Sequence, residues 1–150
     1  MNIHKADKSH INIIIDFQVV MAQETEGLML DPNVVRKGVE HLFQKPEKGQ
    51  YYLVELEGEI IACTLTVPEW SEWRNGTVLW IHSVYVKPEH RRKGVFRFIY
   101  DYLKNKVIVN EELMGLRLYV EKENNKAQKV YESLGMNGEH YKLYEWLKSY

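Results

Sequence analysis

The sequence holds a single cysteine, Cys63, and four prolines in 150 residues. One thiol cannot close an internal disulfide and cannot alone build a thiolate zinc site, which excludes a disulfide-stapled scaffold and a zinc ribbon. Cys63 stands in the apolar run Ile60-Ile61-Ala62-Cys63, where a small buried thiol is the ordinary outcome. An excess of either charge is missing too: 20 basic residues stand against 21 acidic ones, a formal charge of −1. No global field would hold such a chain on a nucleic acid or an anionic membrane, so neither is expected as a partner. No apolar run reaches the roughly 18 residues of a membrane span, and Met1 to Lys5 begin no signal peptide, so the expected location is the cytoplasm. The six histidines (His4, His10, His41, His82, His90 and His140) show no metal-ligand spacing, and no metal is expected.

What is present has the balance of one globular domain over residues 1–150, with 45% hydrophobic and 27% charged residues. Ile11, Ile14, Ile15 and Val19 recur at helical steps and predict a helix over residues 12–21, with Ser9 as its cap. Glu24, Glu26 and Gly27 then read as a loop, and Asp31-Pro32 opens a second helix reaching about residue 43. Residues 51–56 and 59–67 are rich in β-branched and aromatic side chains around the turn signal Glu57-Gly58, and predict a hairpin. Residues 68–76, with Pro68, Trp70 and Trp73, read as a long loop before a strong strand over residues 77–86. A helix after Gly94, a short strand over 116–120 and a helix over 125–134 follow, with Gly135 placed where a left-handed residue ends a helix. Residues 141–147 alternate weakly and are expected to add a last strand. The order predicts a mixed α/β domain around a mainly antiparallel central sheet with flanking helices.

The most informative stretch is Val84-Tyr85-Val86-Lys87-Pro88-Glu89-His90-Arg91-Arg92-Lys93-Gly94-Val95-Phe96. A strand ends, a short turn follows, and a helix begins at a glycine. The first amides of a helix have no internal acceptor and sit at the positive end of its dipole, so such a start suits an anion. Gly94 allows a phosphate close to the backbone; Arg91, Arg92 and Lys93 supply countercharge. Taken alone, a basic run before a helix is more often a solvated surface. Oligonucleotide binding through His90-Arg91-Arg92-Lys93 would be strongly salt-dependent, and the neutral net charge argues against it.

The run carries the arrangement Arg-x-x-Gly-x-(Gly or Ala), apart from its last position, directly after Val84-Tyr85-Val86. It resembles the acetyl-CoA-binding motif of the GNAT acyltransferase superfamily. Asn124, Ala127, Tyr131 and Gly135, at intervals of three, four and four, are similar to a second strand–Asn–helix–Tyr–Gly segment of that superfamily. The resemblance implies a GNAT-like fold and transfer of an acetyl group from acetyl-CoA, the co-substrate, to an amine of a small molecule or protein. It implies that Val84, Tyr85 and Val86 meet the pantetheine arm, that the turn and helix start from Arg91 through Val95 to Arg97 hold the pyrophosphate, and that Asn124 and Ala127 line the arm's other side. Where the superfamily carries Gly or Ala, this chain has Phe96, whose ring is expected to turn away from the diphosphate.

By position, Tyr131 matches the general acid that protonates the leaving thiolate; otherwise it reads as a helix tyrosine packed on a core. His82, four residues before Val86, is the candidate general base, since imidazoles as a class titrate near neutrality. Strict alternation would put His82 on one face with Val84 and Val86, and a satisfied sheet histidine is the competing reading. Glu24 and Glu26 are candidates to attract an ammonium substrate, or are ordinary surface carboxylates. Trp80 is a candidate wall of the acceptor pocket, since indole faces bind cations, although a group of tryptophans such as Trp70, Trp73 and Trp80 is more often core or interface. A non-catalytic acyl-CoA sensor or scaffold of the same fold is the alternative function, and a homodimer is left open.

Overall fold

The computed structural model describes residues 1–148. Its contacts divide the chain into two units, residues 1–118 and residues 119–150. Among the described residues no helix is long and apolar enough to cross a membrane.

The first unit holds β1 (Asn2–Lys5), α1 (Ile11–Glu26), α2 (Pro32–Gln44), β2 (Gln50–Leu56), β3 (Glu59–Ser71), β4 (Gly76–Val86), α3 (Val95–Val109) and β5 (Leu113–Leu118). The five strands form one sheet in the order β1-β2-β3-β4-β5. The first three pairings are antiparallel and β4 pairs with β5 in parallel. This is the mixed, mainly antiparallel sheet the sequence predicts; the parallel pair requires the crossover that α3 provides.

Register assigns the two faces. Tyr51, Leu53, Cys63, Leu65 and Tyr85 form one buried cluster with Ile14, Ile15 and Phe17 of α1 and Val39 of α2. The residues between them face the other way, toward α3: the Tyr52 ring meets Tyr102 edge-on at 5.6 Å, and Ile99 and Leu103 are fully buried. Fully burying a side chain of this size stabilises by about 1.5–3 kcal/mol, so both helical layers anchor the sheet.

Several boundaries differ from the sequence expectation, each for a physical reason. Strand β1 is absent from that expectation because four residues, mostly polar, carry almost no alternation; pairing with β2 makes it a strand. Ser9 does not cap α1. Asp7 caps a preceding 3₁₀ turn, accepting from the Ser9 amide at 2.8 Å and hydroxyl at 2.5 Å. Helix α1 runs five residues past Met21 to Glu26 before Gly27 ends it, so Glu24 and Glu26 lie in its last turn and not in a loop. The apolar period stops at Met21, but Ala22, Gln23 and Glu24 are good helix formers without it.

Asp31 caps α2 as predicted, accepting from the Asn33 amide at 2.8 Å. The segment after Pro68 is strand: β3 continues to Ser71, paired with β4. Strand β2 ends its pairing at Gln50–Thr66, so Pro68 stands where β3 overhangs its neighbour, the setting in which a missing N–H is tolerated. Strand β5 begins and ends earlier than expected, at Leu113 and Leu118.

The second unit contains α4 (Asn125–Ser133). Asn124 caps it, accepting from the Ala127 amide at 3.1 Å. At its other end Gly135 has φ +85°, and the amides of Gly135 and Met136 return to the Glu132 and Tyr131 carbonyls at 2.9 and 3.1 Å. That is the left-handed closure Gly135 predicts. The expected strand over residues 141–147 does not form; weak alternation without a hairpin turn to fix register leaves it irregular.

Burial in the sheet has a consequence at high pH. It raises the Tyr51 phenol and pushes the Tyr52 phenol from 10.0 up to about 12 and the Cys63 thiol from 9.0 up to about 12. Groups whose folded pKa is raised contribute stability that is intact below the unfolded value and lost as pH climbs through the folded one. The melting temperature is therefore expected to hold up to pH ~9 and to fall steadily toward pH ~12. Calorimetric melts across that range check this.

Candidate active site

Strand β4 is held differently along its length. Its last partner on β5 is Ile81, opposite Leu118, whereas β3 accompanies it to Val86, opposite Ala62. Residues 82–86 thus keep β3 on one side and have no strand on the other among the described residues. At about 3.3 Å per residue, the parted edge from His82 to Val86 is ~13 Å long. It is closed at Ile81 and open toward the turn that follows.

His82 sits where the parting begins. Leu65 faces Ser83 and Thr66 faces Ile81, so His82 is an inserted residue without a Cα partner on β3. Such a bulge breaks the alternation. Trp80, Ser83 and Tyr85 come to share the α1–α2 side with Val67, Leu65 and Cys63, while Ile81, Val84 and Val86 face the α3 side. The sequence carries no mark of this bulge, which interrupts the alternation linking His82 to Val84 and Val86. His82 is exposed. Next to it the Thr64 hydroxyl donates to the Ser83 carbonyl at 2.8 Å, whereas the buried Ser83 hydroxyl has no partner among the described residues.

After β4 the chain makes a 3₁₀ turn at Pro88–His90, then Arg92 at φ +60° and Gly94 at φ +80° adopt left-handed backbone on either side of Lys93. Arg92 is a non-glycine residue in a sparsely populated region, the kind of local strain that clusters at functional turns. Successive amides in alternating conformations make a concavity suited to an anion. Helix α3 begins at Val95 with no side-chain cap, and its first backbone bond runs from the Phe98 amide to the Gly94 carbonyl at 3.0 Å. A Cβ built on Gly94 meets nothing within 4 Å, so the surface at that glycine is open. The Phe96 ring stacks on Tyr100 one turn along the helix, centroids 6.4 Å apart.

The basic residues divide. Arg91 is engaged: its Nε donates to the Val86 carbonyl at 2.8 Å, an Nη donates to Glu24 at 2.5 Å, and its guanidinium lies 5.7 Å from the Tyr85 ring centroid. Arg92, Lys93 and Arg97 are exposed. Trp80 belongs to another network, donating to Glu69 at 3.0 Å beneath Arg117, which binds the same carboxylate oxygen at 2.6 Å. Trp70 and Trp73 are exposed near the β3–β4 turn. In the second unit, burial raises the Tyr131 phenol above its usual value, and the Asn124 side chain serves as the cap of α4.

A surface cluster also escapes the sequence reading. Glu59, Glu89 and His90 bring potential ligand atoms within 4.8 Å of one another. The Lys87 ammonium already sits on Glu59, so the cluster is balanced by the protein's own cation.

Comparison with known proteins agrees with this architecture. The sequence matches the acetyltransferase (GNAT) family over residues 21–136. Its structure is similar to that of a possible acetyltransferase from Clostridium difficile 630, 42% identical, with a TM-score of 0.92 over 99% of this chain and 98% of that one. A probable acetyltransferase follows at 25% identity, TM-score 0.85, covering 99% of both chains. An aminoglycoside N-acetyltransferase in complex with CoA shares the fold at 14% identity and a TM-score of 0.73, over 99% of this chain and 100% of that one. No curated protein matches the sequence.

Proposed function

The chain belongs to the GNAT acetyltransferase family, and on that premise we propose that it moves an acetyl group from acetyl-CoA to an amine of a small molecule or protein. We take residues 1–150 as one catalytic domain, since the family match spans parts of both units. The observation that carries the reading is the juxtaposition in the first unit. An uncapped helix start, open at Gly94, follows one turn after a strand whose last five residues have lost one neighbour.

In this reading the diphosphate rests on the first amides of α3, from Val95 to Arg97, with Gly94 allowing the approach and Arg92, Lys93 and Arg97 supplying charge. The amide-rich pantetheine arm runs back along Val86, Tyr85 and Val84. Because β5 closes the edge at Ile81, the thioester ends near His82. CoA brings the activated acyl group; the protein orients it and moves protons.

The attacking amine must be neutral, although a free alkylamine has a pKa near ~10.4. His82, exposed at the closed end of the edge, takes that proton directly or through water. A β4 amide near Val84 donates to the oxyanion. Tyr131 protonates the departing thiolate. Asn124 contributes by capping the helix that carries Tyr131, and Ala127 lies in its first turn. With His82 as the base, His82→Ala should lower kcat/KM for the amine while acetyl-CoA affinity holds. Unchanged turnover removes His82 from the mechanism.

A non-catalytic acyl-CoA sensor remains the second reading, favoured by the bulky Phe96 at the family's small position. Thiol release from acetyl-CoA, followed across a panel of small and peptidyl amines, separates the two. Release that depends on an amine supports the enzyme; saturable cofactor binding without release from any amine supports the sensor.

A further inference from the structure

The carboxylate of Glu24 accepts from Arg91. Glu24 lies in the last turn of α1, where a helix dipole disfavours negative charge, so a cation beside it matters more than usual. Arg91 binds it at 2.5 Å, binds the Val86 carbonyl at 2.8 Å and lies over Tyr85. The bond to Val86 closes the turn between β4 and the left-handed Arg92 into a ring. The Tyr85 side of the sheet is the α1–α2 side, opposite the face that packs on α3. Arg92, Lys93 and Arg97, by contrast, form no ion pair among the described residues and keep their charge available.

We infer that Glu24 is a positioning residue for the acyl donor: it holds the Arg91 fork against the end of β4, and Arg91 fixes the turn from which the phosphate-facing amides project. The inference rests on the acyl-CoA reading above and divides the basic cluster. Arg92, Lys93 and Arg97 attract the diphosphate, while Arg91 sets geometry. A guanidinium suits the second task because its rigid fork serves a carboxylate and a carbonyl together, which a single ammonium does not.

The test is a double-variant cycle on acetyl-CoA affinity, measured by calorimetry. Wild type must bind; an absence of binding there is a failure of the acyl-CoA reading itself, not of this inference. Given binding, Glu24→Gln and Arg91→Gln should each weaken acetyl-CoA by ~3- to 10-fold, and the double variant should be no worse than the weaker single one. Arg91→Lys should not restore affinity. Arg97→Gln should multiply with Glu24→Gln and should reduce the salt dependence of binding. Glu24→Asp, which keeps the charge and withdraws it by one methylene, should fall between wild type and Glu24→Gln. The amine KM should not change. Independent, multiplying effects of Glu24→Gln and Arg91→Gln overturn the inference. So does an Arg91→Lys protein equal to wild type, or a Glu24→Gln protein that binds acetyl-CoA normally and raises the amine KM.

Discussion

Tyr131→Phe is expected to lower turnover with acetyl-CoA and an amine by ~10²-fold or more while leaving acetyl-CoA affinity unchanged. The leaving group is a thiol whose ordinary pKa is about 8.5, so it departs more readily with a proton donor at hand. Burial raises the Tyr131 phenol above its usual 10.0, which keeps it protonated through the neutral range and gives it a proton to deliver. The helix that carries it is closed at both ends by other groups, the Asn124 cap and the left-handed Gly135 turn, so the helix ends do not depend on the phenol oxygen. Steady-state kinetics beside an acetyl-CoA titration checks this. Equal loss of affinity and turnover would point to packing, and unchanged turnover would remove the acid role.

The second large effect is expected at Gly94. Its φ of +80° costs an ordinary residue ~1–2 kcal/mol, more for a branched one. In the protein alone a Cβ there meets no atom within 4 Å, so steric conflict arises only with something that approaches the helix start. Gly94→Val should therefore weaken acetyl-CoA by ~10²-fold, beyond what a modest fall in melting temperature explains. Gly94→Ala should show a smaller loss in the same direction. A Gly94→Val protein that is less stable yet binds acetyl-CoA as wild type does would mean that the glycine serves the turn alone.

The sequence shows much of this fold because its signals are local. Asp31-Pro32 starts a helix, Gly135 ends one, and Glu57-Gly58 turns a hairpin through atoms that lie next to one another in the chain. The strand–turn–glycine–helix run at residues 84–96 is legible for the same reason. What it hides depends on distant partners. The His82 bulge exists only relative to β3, and it changes which face each following residue of β4 occupies. Strand β1 exists only because β2 pairs with it. The overhang that accommodates Pro68 follows from where β2 stops. Arg91 reads as one of several equivalent cations until Glu24, 67 residues away, is seen beside it. Glu24 itself is misplaced when apolar periodicity is asked to mark the end of a helix whose last turn has none.

Amide NMR of the labelled protein during a CoA titration examines the helix start directly. The account predicts that the amide signals of Gly94, Val95, Phe96 and Arg97 shift saturably with CoA, and that pantetheine, which lacks the diphosphate, leaves them in place while moving Val84 and Tyr85. CoA that binds without disturbing those four amides would contradict it.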